Sequence, residues 1–185
     1  MIYTFGGMKY SMIKTLAAVR FAEYLAKKQK VLFIDTDPSK RACEFFESNE
    51  NITIISNYEQ IEFEEIEERV KHFDSVVIDS GLGKTLRKAT LISDRMIIPF
   101  TSKDRGLWTI WTLKSIENLC YNLIDENPKL KCLSFYYEDP QYVNYNTHIL
   151  STLKESQYID FLENDFFQNL VKKDQEEEFP EVLMH

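Results

Sequence analysis

The sequence is poor in glycine. It holds five in 185 residues. None falls within Lys9-Tyr10-Ser11-Met12-Ile13-Lys14-Thr15, where the surrounding pattern asks for a phosphate-binding loop. Cysteine is also scarce: Cys43, Cys120 and Cys132 are odd in number and widely spaced. That spacing supports neither a disulfide framework nor a metal motif and suits reduced thiols. His72, His148 and His185 are scattered, without metal spacing. No serine stands in an elbow-like glycine frame with an evident His and Asp, so a hydrolase triad has no support. No apolar run approaches the roughly 18 residues that span a bilayer, and the N-terminus lacks a basic-then-apolar leader. The expectation is a cytoplasmic protein without a transmembrane segment.

Positive charge is the remaining shortage. Lys and Arg number 22 against 30 Asp and Glu, for a net charge of −8. A broad nonspecific nucleic-acid surface needs clustered cations. Only the stretch Lys84, Arg87, Lys88, Arg95, Lys103 and Arg105 approaches one, so direct DNA binding is expected to be weak. The acidic segments EFEEIEE (62–68) and DQEEE (174–178) read as solvated helix face and tail.

What is present is regular. Hydrophobic residues make up 44% and charged residues 28%, as in ordinary soluble domains. Short apolar runs recur at 2–5, 31–34, 52–55, 75–78, 96–100, 132–137 and 158–162. Segments with helical spacing lie between them, at 14–28, 38–48, 59–71, 84–93, 105–124, 144–156 and 164–172. Strand–helix alternation with strands apolar on both faces predicts an α/β fold: a doubly wound, mostly parallel sheet flanked by helices. The length suits one domain over 1–185. No internal repeat or linker precedes an acidic tail at about 174–185.

The candidate site gathers at the strand ends. IYTF (2–5) leads to the loop, the helical KTLAAVRFAEYLAKK (14–28) follows, and VLFID ends at Asp35, with Asp37 and Pro38 just beyond. Asp79 ends VVID. One such aspartate is an ordinary helix cap. Three of them ending neighbouring strands point to a ligand at the C-terminal edge of the sheet. Lysine followed by Thr is the pair that neutralises phosphate and holds magnesium, while glycine ordinarily lets backbone N–H groups approach the phosphates. Here Tyr10, Ser11, Met12 and Ile13 stand in place of glycine. Left-handed backbone at such residues costs about 1–2 kcal/mol each, with β-branched Ile13 worst placed and its side chain set to fill phosphate space. The bland alternative is a polar strand-to-helix turn. A second glycine-bearing string, Gly81-Leu82-Gly83-Lys84-Thr85, lacks the earlier glycine because Ile78 occupies that place. It reads as a switch-like loop with Gly81 and Gly83 as pivots. Trp108 and Trp111, three apart on a helix, read as core or partner-facing residues rather than a base-stacking platform.

These pieces in this order resemble the ParA/MinD group of deviant Walker ATPases, whose fold is P-loop NTPase-like. The resemblance covers almost the whole chain. IYTFGGMKYSMIKT and VLFIDTDPSK are similar to the group's K-G-G-x-G-K-T loop and I-D-x-D-P-Q strand end, with one residue missing near Gln29. FDSVVIDSGLGK resembles its Walker B strand, SDRMIIPFTSKDRGLWTIWTLKSI its A-D-x-x-I-I-P segment and long helix, and NPKLKCLSFYYED and YIDFLENDFF its last two strands. The resemblance implies ATP and magnesium as cofactors. Lys9 would be the signature lysine that crosses a homodimer interface, and Tyr10 to Thr15 would line the nucleotide, with Lys14 as the Walker A lysine. Thr15, Asp35 and Asp79 would serve magnesium, the acids largely through water, and Asp37 would position the attacking water. The departures are Y-S-M-I for G-G-x-G, Ser80-Gly81-Leu82 for T-P-P, and an acidic rather than basic C-terminus. The implied function is partitioning of a plasmid or chromosome, or positioning of another cargo, with a partner protein. The alternative is a pseudo-ATPase scaffold of a secretion, conjugation, pilus or chemosensory assembly. A metabolic P-loop enzyme of the dethiobiotin-synthase kind shares the fold but has no substrate-pocket signal here. The glycine-less loop implies weak ATP binding.

Overall fold

A strand that is apolar on both faces must be covered on both, and SVVID and VLFID are buried along their whole length. The computed structural model describes residues 1–7, 11–38, 40–56, 63–101, 107–137, 153–162 and 166–172. It contains one seven-stranded sheet. The strands are β1 (Ile2–Phe5), β2 (Val31–Asp35), β3 (Ile52–Ile55), β4 (Ser75–Asp79), β5 (Arg95–Thr101), β6 (Lys131–Tyr137) and β7 (Asp160–Phe161). Their order is β3-β2-β4-β1-β5-β6-β7, and every pairing is parallel. The doubly wound expectation holds, with all strands parallel.

Among the described residues the helices are α1 (Met12–Ala26), α2 (Ala42–Phe45), α3 (Phe63–Val70), α4 (Lys84–Leu91), α5 (Leu107–Glu126) and α6 (Phe166–Lys172). α1 and α6 cover one face through a core of Phe5, Phe21, Phe33, Val77, Phe135 and Phe167. On the other face, Leu86, Met96, Phe100 and Leu133's neighbour Cys132 pack with Ile116 and Leu123 of α5. Ile66 of α3 and Ala89 of α4 cover Leu32, Ile34, Val76 and Ile78. Phe21 is the hub of the aromatic cluster, 4.9 Å from Tyr3 edge-on and 5.6 Å from both Phe5 and Phe167. Phe135 stacks on Phe167 at 4.6 Å. This wedge holds α1 against the sheet and so fixes the loop at its start.

Pro99 sits inside β5, where a missing N–H would normally break a ladder. The ladder to β1 ends at Phe5↔Ile97, so Pro99 lies beyond the last bond on that side. Cys120 and Cys132 are twelve positions apart in sequence, yet α5 and β6 bring them into a buried side-chain contact. That contact and burial push the Cys120 thiol well above its ordinary value. Cys43 is exposed.

Two elements differ from expectation. The helix expected over 38–48 shrinks to Ala42–Phe45. Lys40 just before it is left-handed, with φ of 52°, and Phe46 just after it is extended; neither conformation continues a helix. β7 is shorter than 158–162. Most of the helix expected at 144–156 and the tail at 174–185 lie outside the described residues, as do the side chains of Trp108 and Trp111.

Phe21→Ala should remove about 3–5 kcal/mol of stability, read as a lowered urea midpoint with unchanged slope. A loss below about 1 kcal/mol would mean that the aromatic wedge does not hold α1.

Candidate functional site

The register of the sheet assembles the site. Phe5 pairs with Asp79 across β1 and β4, and Asp35 pairs with Asp79 across β2 and β4. The C-terminal ends of three adjacent strands therefore bring Asp35 and Asp79 side by side. α1 starts above them. Its N-cap, Ser11, is extended (φ −144°, ψ 127°) and makes no side-chain cap bond. The first helical bond runs from Thr15 N–H to the Ser11 carbonyl at 3.3 Å. Helical side chains lean toward the N-terminus, so Lys14 and Thr15 reach back over the strand ends.

There they close on Asp79. The Lys14 ammonium donates to Asp79 Oδ1 at 2.6 Å and to the Ser80 carbonyl. The Thr15 hydroxyl donates to Asp79 Oδ2 at 2.7 Å. Lys14 is 1% exposed and Asp79 is fully buried. The corner beyond is knitted by backbone: Thr36 N–H and hydroxyl both donate to the Asp79 carbonyl (3.0 and 3.1 Å), and Ser80 N–H donates to the Phe5 carbonyl at 3.0 Å. Thr36 Oγ1 in turn accepts Gly81 N–H at 3.0 Å.

The strain expected at Tyr10–Ile13 is absent from the described part of the loop. Among the described residues the one left-handed non-glycine is Lys40. The helix begins two residues before Lys14, so Met12 and Ile13 take ordinary helical angles. Ile13 packs against the aromatic core rather than filling phosphate space, and Met12 is 63% exposed. Lys9 and Tyr10 lie outside the described residues.

Asp35 Oδ1 accepts the Asp37 N–H at 2.9 Å, and its Oδ2 is buried with no hydrogen-bond partner. Burial pushes its carboxyl up from 3.8 to about 6; the nearby Asp37 and Ala42 N–H groups lower it, and the Asp79 and Asp37 charges raise it. Burial also raises Asp79, against the pull of Lys14 and Thr15. Asp37 lines a cleft of about 360 Å³ together with Ser11, Met12, Thr15, Pro38, Arg41 and Phe45. The oxygens of Thr15, Asp35 and Asp79 are donors suited to magnesium, which keeps several waters and needs few protein ligands. The partnerless Asp35 Oδ2 is the atom that such a water would meet. Among the described residues, no group of three or more His, Cys, Asp or Glu forms a cage that could itself hold a metal.

The second glycine string is a packed corner. Gly81 is buried, and a Cβ there would lie 3.0 Å from the Thr36 carbonyl. Gly83 caps α4 at φ 62°, ψ −122°, a region essentially confined to glycine. Lys84 is exposed and Thr85 buried. Of the cationic stretch, Lys84, Arg87 and Lys88 are exposed together on α4. Arg95 is 3% exposed at the opposite, N-terminal edge of the sheet. Arg87 is bonded to Glu126 at 2.7 Å, and Lys103 and Arg105 lie outside the described residues. Sequence reasoning did not single out Arg41, which lines the cleft directly after Lys40. The basic pair directly after an acidic strand end was its only signal.

Lys14→Met should cost about 3–5 kcal/mol, because it strands a buried carboxylate, and urea denaturation reads this directly. A loss under about 1 kcal/mol would place Lys14 in solvent. A second expectation follows from Asp35. Its folded value lies above the ordinary one, so the folded chain keeps a proton that the unfolded chain releases. Its stabilising contribution is full below about pH 4 and is lost as pH rises to about 6. Asp35→Asn should therefore be more stable than wild type at pH 7 and show a shallower decline between pH 4 and 6. Equal slopes in urea midpoints across that range would refute the assignment.

No protein-family model and no curated protein matches the sequence. Solved structures are similar in fold. A plasmid partition protein from Borrelia burgdorferi aligns with a TM-score of 0.68 at 19% identity, over 93% of this chain and 96% of that one. An ATP complex of McdA from Cyanothece carrying an Asp-to-Ala substitution aligns at 0.61 and 15% identity, over 94% and 87%. MinD in the MinC:MinD cell division complex of Aquifex aeolicus aligns at 0.59 and 13%, over 99% and 88%. With its seven parallel strands and a lysine–threonine pair set over the strand ends, the chain has the fold of the ParA/MinD P-loop ATPases.

Proposed function

We propose that this chain is a ParA-like positioning protein, working on a plasmid, chromosome or other cargo with a partner protein. Its nucleotide site is closed at rest and binds ATP weakly. The observation that carries this reading is the Lys14 contact with Asp79 and the Ser80 carbonyl. The lysine and threonine that would meet phosphate and magnesium are present, but both are turned inward onto one buried acid. Nucleotide must displace that contact, and the displaced carboxylate needs a new counter-charge.

In this reading Ser11 to Thr15 border the phosphates, and Asp37 orients water from the cleft wall. Lys9 reaches a second copy of the chain in an ATP-dependent dimer. Thr15, Asp35 and Asp79 would hold magnesium. When bound, that ion neutralises charge on the phosphates. The same closure favours a second reading, in which the fold serves as a scaffold with little or no turnover. Lys14 then acts as an internal strut and the acids are relics of a site.

Calorimetry with ATP and magnesium separates the two. The first reading expects weak binding that strengthens when Tyr10-Ser11-Met12-Ile13 is replaced by Gly-Gly-Val-Gly, since glycine lets the backbone approach phosphate. Tight binding unaffected by the swap would contradict it, and no binding by either chain would leave the scaffold. Net charge −8 should make duplex DNA binding weak at ~0.15 M salt. Tight, salt-resistant polarisation signals would show that the surface has been misread.

A further inference from the structure

The cleft beside Asp37 needs a cation, and the loop lysine does not supply it. Lys14 is 1% exposed and committed to Asp79. Asp35, Asp37 and Asp79 all stand at this edge of the sheet, so a phosphate would enter a region with more carboxylates than free positive charge. Among the described residues lining the cleft, one side chain is cationic: Arg41.

The chain is built to place it there. After Asp37 the backbone turns sharply through left-handed Lys40, whose N–H donates to the Asp37 carbonyl at 3.0 Å. Arg41 then caps the short α2, and its carbonyl accepts Glu44 N–H at 3.1 Å. Left-handed backbone at a β-carbon-bearing residue is held only where the surroundings impose it, and such residues cluster at functional sites. The guanidinium at the end of this turn is always charged. Its planar fork matches phosphate oxygens two at a time. Ser11 and Thr15 add hydroxyls to the same wall, and Met12, Pro38 and Phe45 add an apolar side.

We propose that Arg41 is the phosphate-binding cation of this cleft. It takes the terminal phosphates of a nucleoside triphosphate from the α2 side and does work that a glycine-rich loop would do with backbone N–H groups. The proposal rests on the nucleotide reading above and adds the residue that makes weak binding possible without glycine.

The test is fluorescence polarisation with a labelled ATP analogue, competed by unlabelled ATP, inorganic triphosphate and adenosine. Arg41→Gln should weaken ATP and triphosphate about tenfold or more, the loss expected for one charge-assisted contact. Arg41→Lys should recover part of that loss. Lys28→Gln, an exposed cation change away from the cleft, should stay within twofold of wild type, and adenosine should compete equally against every variant. Arg41→Gln binding within twofold of wild type would overturn the proposal and leave the nucleotide reading standing. A wild-type chain that binds neither ATP nor triphosphate would overturn both. Should Arg41→Gln prove unfolded by its thermal midpoint, Arg41→Lys decides: weaker binding supports the proposal, and equality overturns it.

Discussion

The contact between the Lys14 ammonium and Asp79 is the constraint around which the rest is arranged. A fully buried ion pair brings little net stability compared with apolar packing, but it is costly to break one-sidedly. Lys14 is among the largest fully buried side chains of the chain, and it sits where phosphate loops present a free ammonium. Burying it requires three things. α1 must start early enough to aim the side chain down, the aromatic wedge at Phe21 must hold α1 close, and β4 must end with its acid level with Asp35. The structure meets all three.

Loss of glycine and inward closure of the lysine are two sides of one physical situation. Without glycine the backbone cannot form a deep nest of N–H donors. Met12 and Ile13 enter the first turn of a helix, and the helix delivers Lys14 to Asp79 and the Ser80 carbonyl. Thr15 follows onto the other oxygen of the same carboxylate. The acid that remains incompletely satisfied is Asp35, with one buried oxygen unpartnered. A site that retains such an atom is poised for a ligand or a water. This is why we favour weak nucleotide binding over a purely structural remnant.

Much of this was legible in the sequence, for definite reasons. Runs apolar on both faces can only be covered strands, so VLFID, SVVID and MIIPF placed the sheet and its acidic ends. Lys14, Thr15, Asp35, Asp37 and Asp79 could be named because strand-terminal acids and a lysine–threonine pair have recognisable spacing. What could not be read was conformation. Nothing in Tyr-Ser-Met-Ile says that the helix begins at Met12, so strain was expected there; among the described residues the left-handed non-glycine backbone is at Lys40. Periodicity also could not reveal that Lys40 and Phe46 cut the second helix to one turn, or that Arg95 would be buried at the far edge of the sheet. Arg41 gained meaning only when the cleft beside Asp37 had a shape.

The account stands or falls on whether Lys14 is sequestered. Pulse acylation of the native chain, followed by mass spectrometry, ranks lysines by access to solvent. Lys27, Lys28 and Lys40 are exposed and should label rapidly, with Lys14 protected until the chain is denatured. Labelling of Lys14 at the rate of those exposed lysines would show an open, free loop and would contradict the closed site described above.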